Sequence, residues 1–111
     1  MIKLAEQSPR IEDGIIKWYA GDTFELNFEF EFSDTEGNVI SSEETDYLEF
    51  KIFNEYYDTI YEEVVYKSHE VSVYMNDENT AKFPRGKYFY VIKRNDGFIT
   101  TIIQENEIVV E

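Results

Sequence analysis

The chain has 111 residues, 42% of them hydrophobic and 17% aromatic, enough apolar matter for one folded domain and too much for intrinsic disorder. Twenty-four acids against ten bases give a net charge of −14, so the basic footprint that nucleic acid requires is missing and anionic membranes are disfavoured. Cysteine is absent, which removes disulfides, thiol catalysis and thiolate metal sites.

Residues 1–9 read as an N-terminal arm and residues 10–111 as a single domain. The opening MIKLAEQSPR has neither the apolar stretch nor the cleavage pattern of a signal peptide. No apolar run reaches the roughly 18 residues of a transmembrane helix. Ile11–Trp18 reads as a first strand, with Ile11, Ile15, Ile16 and Trp18 available for burial, and Ala20-Gly21-Asp22 punctuates it.

In Phe24–Phe32 the residues Phe24, Leu26, Phe28, Phe30 and Phe32 alternate with Glu25, Asn27, Glu29 and Glu31. A period of two describes a strand with one buried and one wet face. Asp34-Thr35-Glu36-Gly37-Asn38 is a hairpin turn in which Asp34 can bond its own backbone two residues on. Ser41–Asp46 is a polar loop. Tyr47–Asn54 alternates again, with Leu48, Phe50 and Ile52 on one face, and Thr59–Lys67 follows with both faces partly apolar.

From Ser68, the residues His69, Val71, Val73 and Met75 oppose Glu70, Ser72 and Tyr74. Asp77–Thr80 suits one helical turn, and Phe83-Pro84-Arg85-Gly86 a tight corner. Lys87–Arg94 sets Tyr88, Tyr90 and Ile92 against Phe89, Val91 and Lys93. Asn95-Asp96-Gly97 carries the Asp-Gly signal of a type I′ hairpin. Phe98–Ile103 returns from it, and Ile108–Val110 closes the last strand after a bulge or loop at Gln104–Glu107. Seven or eight strands without helical crossovers describe an all-β antiparallel sandwich, with a small closed barrel as the rival.

Catalytic constellations are not found. His69, the single histidine, stands in phase with Val71 and Val73 and reads as a packed or strand-end residue. There is no GxSxG, no phosphate loop and no distinguished carboxylate pair. Asp34–Asn38 echoes the start of a calcium loop but runs into Val39-Ile40 without the terminal Glu. The residues thus point to a non-enzymatic protein with no cofactor and no metal. Tyr56, Tyr57 and Tyr61, with Phe89, are candidates for a sugar platform or a protein contact.

Two segments carry a family resemblance. Phe83-Pro84-Arg85-Gly86-Lys87-Tyr88 resembles the corner into the F strand of immunoglobulin-like domains, where a tyrosine bonds back to the preceding turn; Tyr88 holds that position. The wider order is Trp18-Tyr19-Ala20-Gly21-Asp22-Thr23, the alternating strand with Phe28, the Asp34–Asn38 turn, Gly86-x-Tyr88 and Val109-Val110. It resembles the immunoglobulin-like modules of tailed-phage baseplate and tail-fibre proteins. The resemblance assigns structural roles to Trp18, Gly21, Asp22, Phe28, Gly86 and Tyr88. It implies a virion component made in the bacterial cytoplasm, whose partners are other tail proteins or further copies of itself. A carbohydrate-binding sandwich using Tyr56, Tyr57 or Tyr61 is the alternative.

Overall fold

The computed structural model describes residues 9–111; all but the last residue of the expected arm lies outside them. Eight strands are built: β1 (Arg10–Glu12), β2 (Ile15–Trp18), β3 (Phe24–Glu29), β4 (Tyr47–Phe53), β5 (Thr59–Tyr66), β6 (Glu70–Met75), β7 (Gly86–Asn95) and β8 (Thr100–Val110). One helical turn, α1 (Asp77–Thr80), joins β6 to β7, as Asp77–Thr80 predicts. Asn76 caps it by accepting from the Asn79 backbone N–H at 2.9 Å.

The strands form two sheets, one of six strands in the order β1-β2-β8-β7-β4-β5 and one of β3 and β6. The chain is therefore all-β in two facing layers. The core lies between them. Leu26, Phe28, Val71, Val73 and Met75 come from the small sheet, and Trp18, Phe50, Ile52, Tyr90, Ile92 and Ile108 are among those that meet them from the large one. Alternation sets these positions, since every second residue of each paired strand turns inward. Phe28 stacks on Phe50 at 5.5 Å, and Trp18 is wholly buried against Phe24 at 5.0 Å and Phe83 at 5.7 Å.

The expected antiparallel arrangement is corrected, because the large sheet is mixed. β2 runs parallel to β8, pairing Ile16 with Ile108 and Trp18 with Val110. The segment from Tyr19 to Thr23 carries the chain from one sheet to the other, so β2 is free to lie beside the last strand without a hairpin. A turn built on Gly21 (φ +88°), with the Asp22 N–H donating to the Tyr19 carbonyl at 3.0 Å, starts that crossing.

The first expected strand is likewise two. Asp13 (φ +53°) and Gly14 (φ +81°) form a two-residue turn with positive φ at both positions, and Glu12 pairs with Ile15 across it. Ile11, expected to be available for burial, is consequently 63% exposed. The Asn95-Asp96-Gly97 signal behaves differently. Asn95 pairs with Thr100, and the loop holds the four residues between them rather than a type I′ pair. β8 then runs unbroken through Gln104–Glu107. Its irregularity falls earlier, where Ile92 pairs with Gln104 and Lys93 with Ile102, leaving Ile103 as the extra residue of a bulge.

The ladder of β3 ends at Glu29, short of the expected Phe32. Phe30 still donates its N–H to the His69 carbonyl at 2.9 Å. Beyond it the chain leaves for the hairpin around Asp34–Asn38, closed by the Ser33–Val39 bridge. Asp34 Oδ1 accepts from the backbone of Glu36 and Asn38, both at 2.9 Å.

Candidate functional site

Among the described residues no group of three His, Asp or Glu side chains is placed to hold a metal ion. The surface depressions are open. One of about 450 Å³ lies over Phe24, Met75, Tyr74 and Asp77, and one of about 370 Å³ over Glu29, Glu70, Lys67 and His69.

His69 stands at the start of β6 in a small polar knot. The Thr45 hydroxyl, wholly buried, accepts from Arg94 Nε at 2.8 Å and lies 2.6 Å from His69 Nε2. Arg94 also sits over the Phe32 ring at 5.1 Å, and Phe32 meets the His69 ring edge-on at 4.7 Å. Burial, with the Arg94 charge second, pulls the His69 pKa below its ordinary 6.5. Every polar atom named here is engaged inside the knot, which therefore ties the loop before β4 to β6 and β7.

The three tyrosines singled out in the sequence are separated. Tyr56 and Tyr57 occupy the β4–β5 turn at 83% and 79% exposure. Tyr57 takes a positive φ of 65°, and its ring stacks on Phe89 at 6.4 Å and 16°. Tyr61 points the other way. It packs on the core against Phe50 at 6.3 Å and donates its hydroxyl to Glu63 at 3.1 Å. Burial first, then Glu63, pushes its phenol up to about 12.

Of the structural positions, Trp18 and Phe28 lie in the core and Gly21 and Asp22 in the inter-sheet turn. Trp18 Nε1 is buried and finds no hydrogen-bond partner among the described residues. Gly86 opens β7, and Tyr88 follows with its hydroxyl donating to the Pro84 carbonyl at 2.6 Å. Burial, and secondarily the charge of Glu55, raises the Tyr88 pKa.

Two surfaces stand out. The first is the tip between β7 and β8, where Phe98 is 96% and Ile99 65% exposed; Ile102, 52% exposed, follows on β8 opposite Lys93. The tip is braced. Asp96 Oδ1 accepts from the N–H groups of Ile99 and Phe98 at 2.8 and 2.9 Å, and Asn95 Oδ1 from that of Gly97 at 2.7 Å. The Asn95 amide donates to the Thr100 hydroxyl at 2.7 Å. The Ile99 and Phe98 N–H groups hold the Asp96 carboxyl below its ordinary range. Sequence reading placed Phe98 and Ile99 in a return strand and did not single them out. The signal available was two consecutive apolar residues directly after a turn, which breaks the period of two.

The second surface is the outer face of the six-stranded sheet. Register sets Phe53 beside Phe89, and Val91 between Lys51 and Glu105. Tyr47 and Tyr66 meet edge-on at 6.2 Å. Arg10, Lys17, Lys51, Lys87 and Lys93 lie on this face, and so do Glu12, Glu49, Glu62, Glu105 and Glu107. Lys17–Glu12 at 2.8 Å, Lys51–Glu49 at 3.3 Å and Lys87–Glu107 at 3.4 Å are ion pairs within it. These strand positions are charge-neutral as a group, so the net charge of −14 is carried by the rest of the chain. The far side is its opposite: the small sheet turns Glu25, Glu29 and Glu70 outward, and β3 and β6 contain no base.

Comparison with known protein families, with curated proteins and with solved structures finds no match.

At the tip Phe98 and Ile99 are held at the surface by backbone bonds to the Asp96 carboxylate, and no pocket encloses them.

Proposed function

We propose that this chain is a non-enzymatic assembly module with an immunoglobulin-like strand arrangement, working through protein–protein contacts as a component of a phage or prophage tail. The arrangement is supported by the Tyr88–Pro84 bond, which matches the tyrosine corner at the start of an F strand. On that reading β3, β4, β6, β7 and β8 take the places of strands B, C, E, F and G, with β5 beside C. Two departures stand beside it. The small sheet has two strands, and the buried tryptophan lies on β2 while Phe50 fills the inner position on β4.

The observation that carries the contact role is Phe98. A phenylalanine held 96% exposed, on a loop fixed by its own hydrogen bonds, is an anchor whose ordering is complete before binding. The test is a pull-down of the proteins encoded by adjacent reading frames with the whole chain and with Phe98→Ser. Binding of one of them, lost in Phe98→Ser, is the expected result. Equal capture by both forms, or capture of none, rejects the role.

The alternative, a sugar-binding sandwich, is favoured by Tyr56 and Tyr57 at the β4–β5 turn. A glycan array with Tyr56→Ser as control decides it, and an array without signal removes it.

A further inference from the structure

We infer that the free edge of β3 takes up an extended segment of a partner protein as a further strand, and that this segment carries lysine or arginine on its outward side. The edge lies away from the Phe98 tip, and the inference does not rest on that contact.

The phase of the β3–β6 ladder decides which backbone groups are free. Phe30 donates to the His69 carbonyl, so the bonds to β6 are made by every second residue, Phe24, Leu26, Phe28 and Phe30. The N–H and C=O groups of Glu25, Asn27 and Glu29 point the other way, and none has a partner among the described residues. The opposite edge of the same sheet is closed by side chains. Ser68 Oγ accepts from the Glu70 N–H at 3.1 Å and donates to the Glu70 carbonyl at 3.0 Å, and the Asn79 amide donates to the Tyr74 carbonyl at 2.7 Å. Nor does β3 hold the other features that blunt an edge: it has no proline, no lysine and no bulge. A row of open backbone donors and acceptors selects an extended chain.

There is room for one. β6 lies against β4 and β5, so the free edge of β3 looks towards β8, β2 and β1. Ile11 of β1 stands level with Ile16, whose side chain is in the core, yet Ile11 is 63% exposed. The small sheet stops short of the width of the large one, and a strand added to β3 extends it in that direction.

Charge selects the partner. Glu25 and Glu29 flank Asn27 on the outer face, and neither β3 nor β6 holds a base. The same edge of a second copy would set acid against acid. A lysine or arginine at every second position of the incoming strand instead meets Glu25 and Glu29 as cross-strand pairs. The residues between them turn inward beside Leu26 and Phe28, and are apolar.

Amide exchange followed by NMR on the whole chain tests this, with a peptide alternating lysine and valine over about eight residues as the probe. In the free protein the Glu25, Asn27 and Glu29 amides should exchange fast while those of Leu26 and Phe28 are protected. With the probe at about 1 mM, exchange at the three should slow at least about fivefold. A peptide alternating lysine and proline has the same charge but half the N–H donors, and should slow none of them. Asn27→Pro removes an N–H that faces away from β6, so the fold is kept and the slowing at Glu25 and Glu29 is lost. Glu25→Lys with Glu29→Lys leaves the backbone unchanged and should shift the preference to a peptide alternating glutamate and valine. Protection of the three amides in the free protein overturns the inference: at every concentration it would mean that residues 1–8 hold the edge, and only at high concentration that a second copy does. Absence of slowing with the probe overturns it too, as does equal slowing by the lysine–proline peptide. An unchanged preference in the double variant overturns the basic partner.

Discussion

Glu29 lies directly opposite Glu70 in the β3–β6 pair, two carboxylates facing each other with no base on either strand. Directly opposed like charges destabilise a ladder, and opposite charges there contribute about 0.2–1 kcal/mol. Glu29→Lys should therefore raise the thermal midpoint, by a few degrees at low salt and less at high salt. A lower midpoint would mean that another group already compensates the pair.

The knot of Thr45, His69 and Arg94 makes stability depend on pH. Thr45 accepts from Arg94, so its own proton is directed at His69 Nε2, which calls for the neutral ring. The pKa of His69 is lowered on folding, by burial and by Arg94. Between the folded pKa and 6.5 the unfolded chain binds more protons. Stability is thus complete above 6.5 and falls as pH drops through 6.5 towards the folded value. Melting of the wild type and of His69→Gln from about pH 7.5 to about pH 5.5 checks this, since carboxylates ionise mostly below that window. The wild type should lose the larger increment over this range. Equal slopes would show that His69 is not the group responsible.

Gly14 has room for a side chain only if the Asn106 amide moves. A Cβ there would lie 2.4 Å from Asn106 Nδ2, and the backbone φ is +81°. Tyr90 donates to its carbonyl at 3.2 Å, fixing the turn against the sheet. Gly37 has a similar φ of +86° with nothing within 4 Å. Gly14→Ala should cost about 2–3 kcal/mol and Gly37→Ala about 1, the difference reporting the close approach to Asn106. Chemical denaturation of the two variants measures it. Equal losses would mean that Asn106 swings aside freely.

Removing the hydroxyl in Tyr88→Phe leaves the ring packed on Phe83 at 5.3 Å and deletes the 2.6 Å bond to Pro84. A loss of about 1–2 kcal/mol is expected. Denaturant titration that finds no loss would reduce the corner to ring packing alone and weaken the immunoglobulin-like reading.

Much of the fold was legible because alternation is a local property. Leu48, Phe50 and Ile52 were assigned inward from spacing alone, and all three are fully buried. The Asp34 turn, the helical turn at Asp77–Thr80 and the Tyr88 corner were likewise readable, since each depends on side chains bonding backbone a few residues away. Where a local signal was present twice, it was weighed wrongly. Asp13-Gly14 makes the two-residue turn, whereas Asp96-Gly97 belongs to a four-residue loop. Asp96 has the same Asp-Gly chemistry but spends its carboxylate on the N–H groups of Phe98 and Ile99.

The candidate surfaces were less legible. Tyr56, Tyr57 and Tyr61 look alike in sequence. The shift in pairing between Ile52 and Phe53 separates them, Tyr61 entering the core and Tyr57 reaching Phe89. Composition showed an acidic chain, but not that its bases gather on one face. Lys17, Lys51, Lys87 and Lys93 come from three different strands, far apart in the chain. By itself the sequence determined which residues alternate, where the local turns close and how much charge the chain carries. Only the tertiary structure decided that β2 lies parallel beside β8, that Phe98 stands in water, and that the charge is divided between a neutral sheet face and an acidic remainder. Strand order and register are set by contacts between residues far apart in the chain, and a periodicity of two does not encode which strand lies beside which.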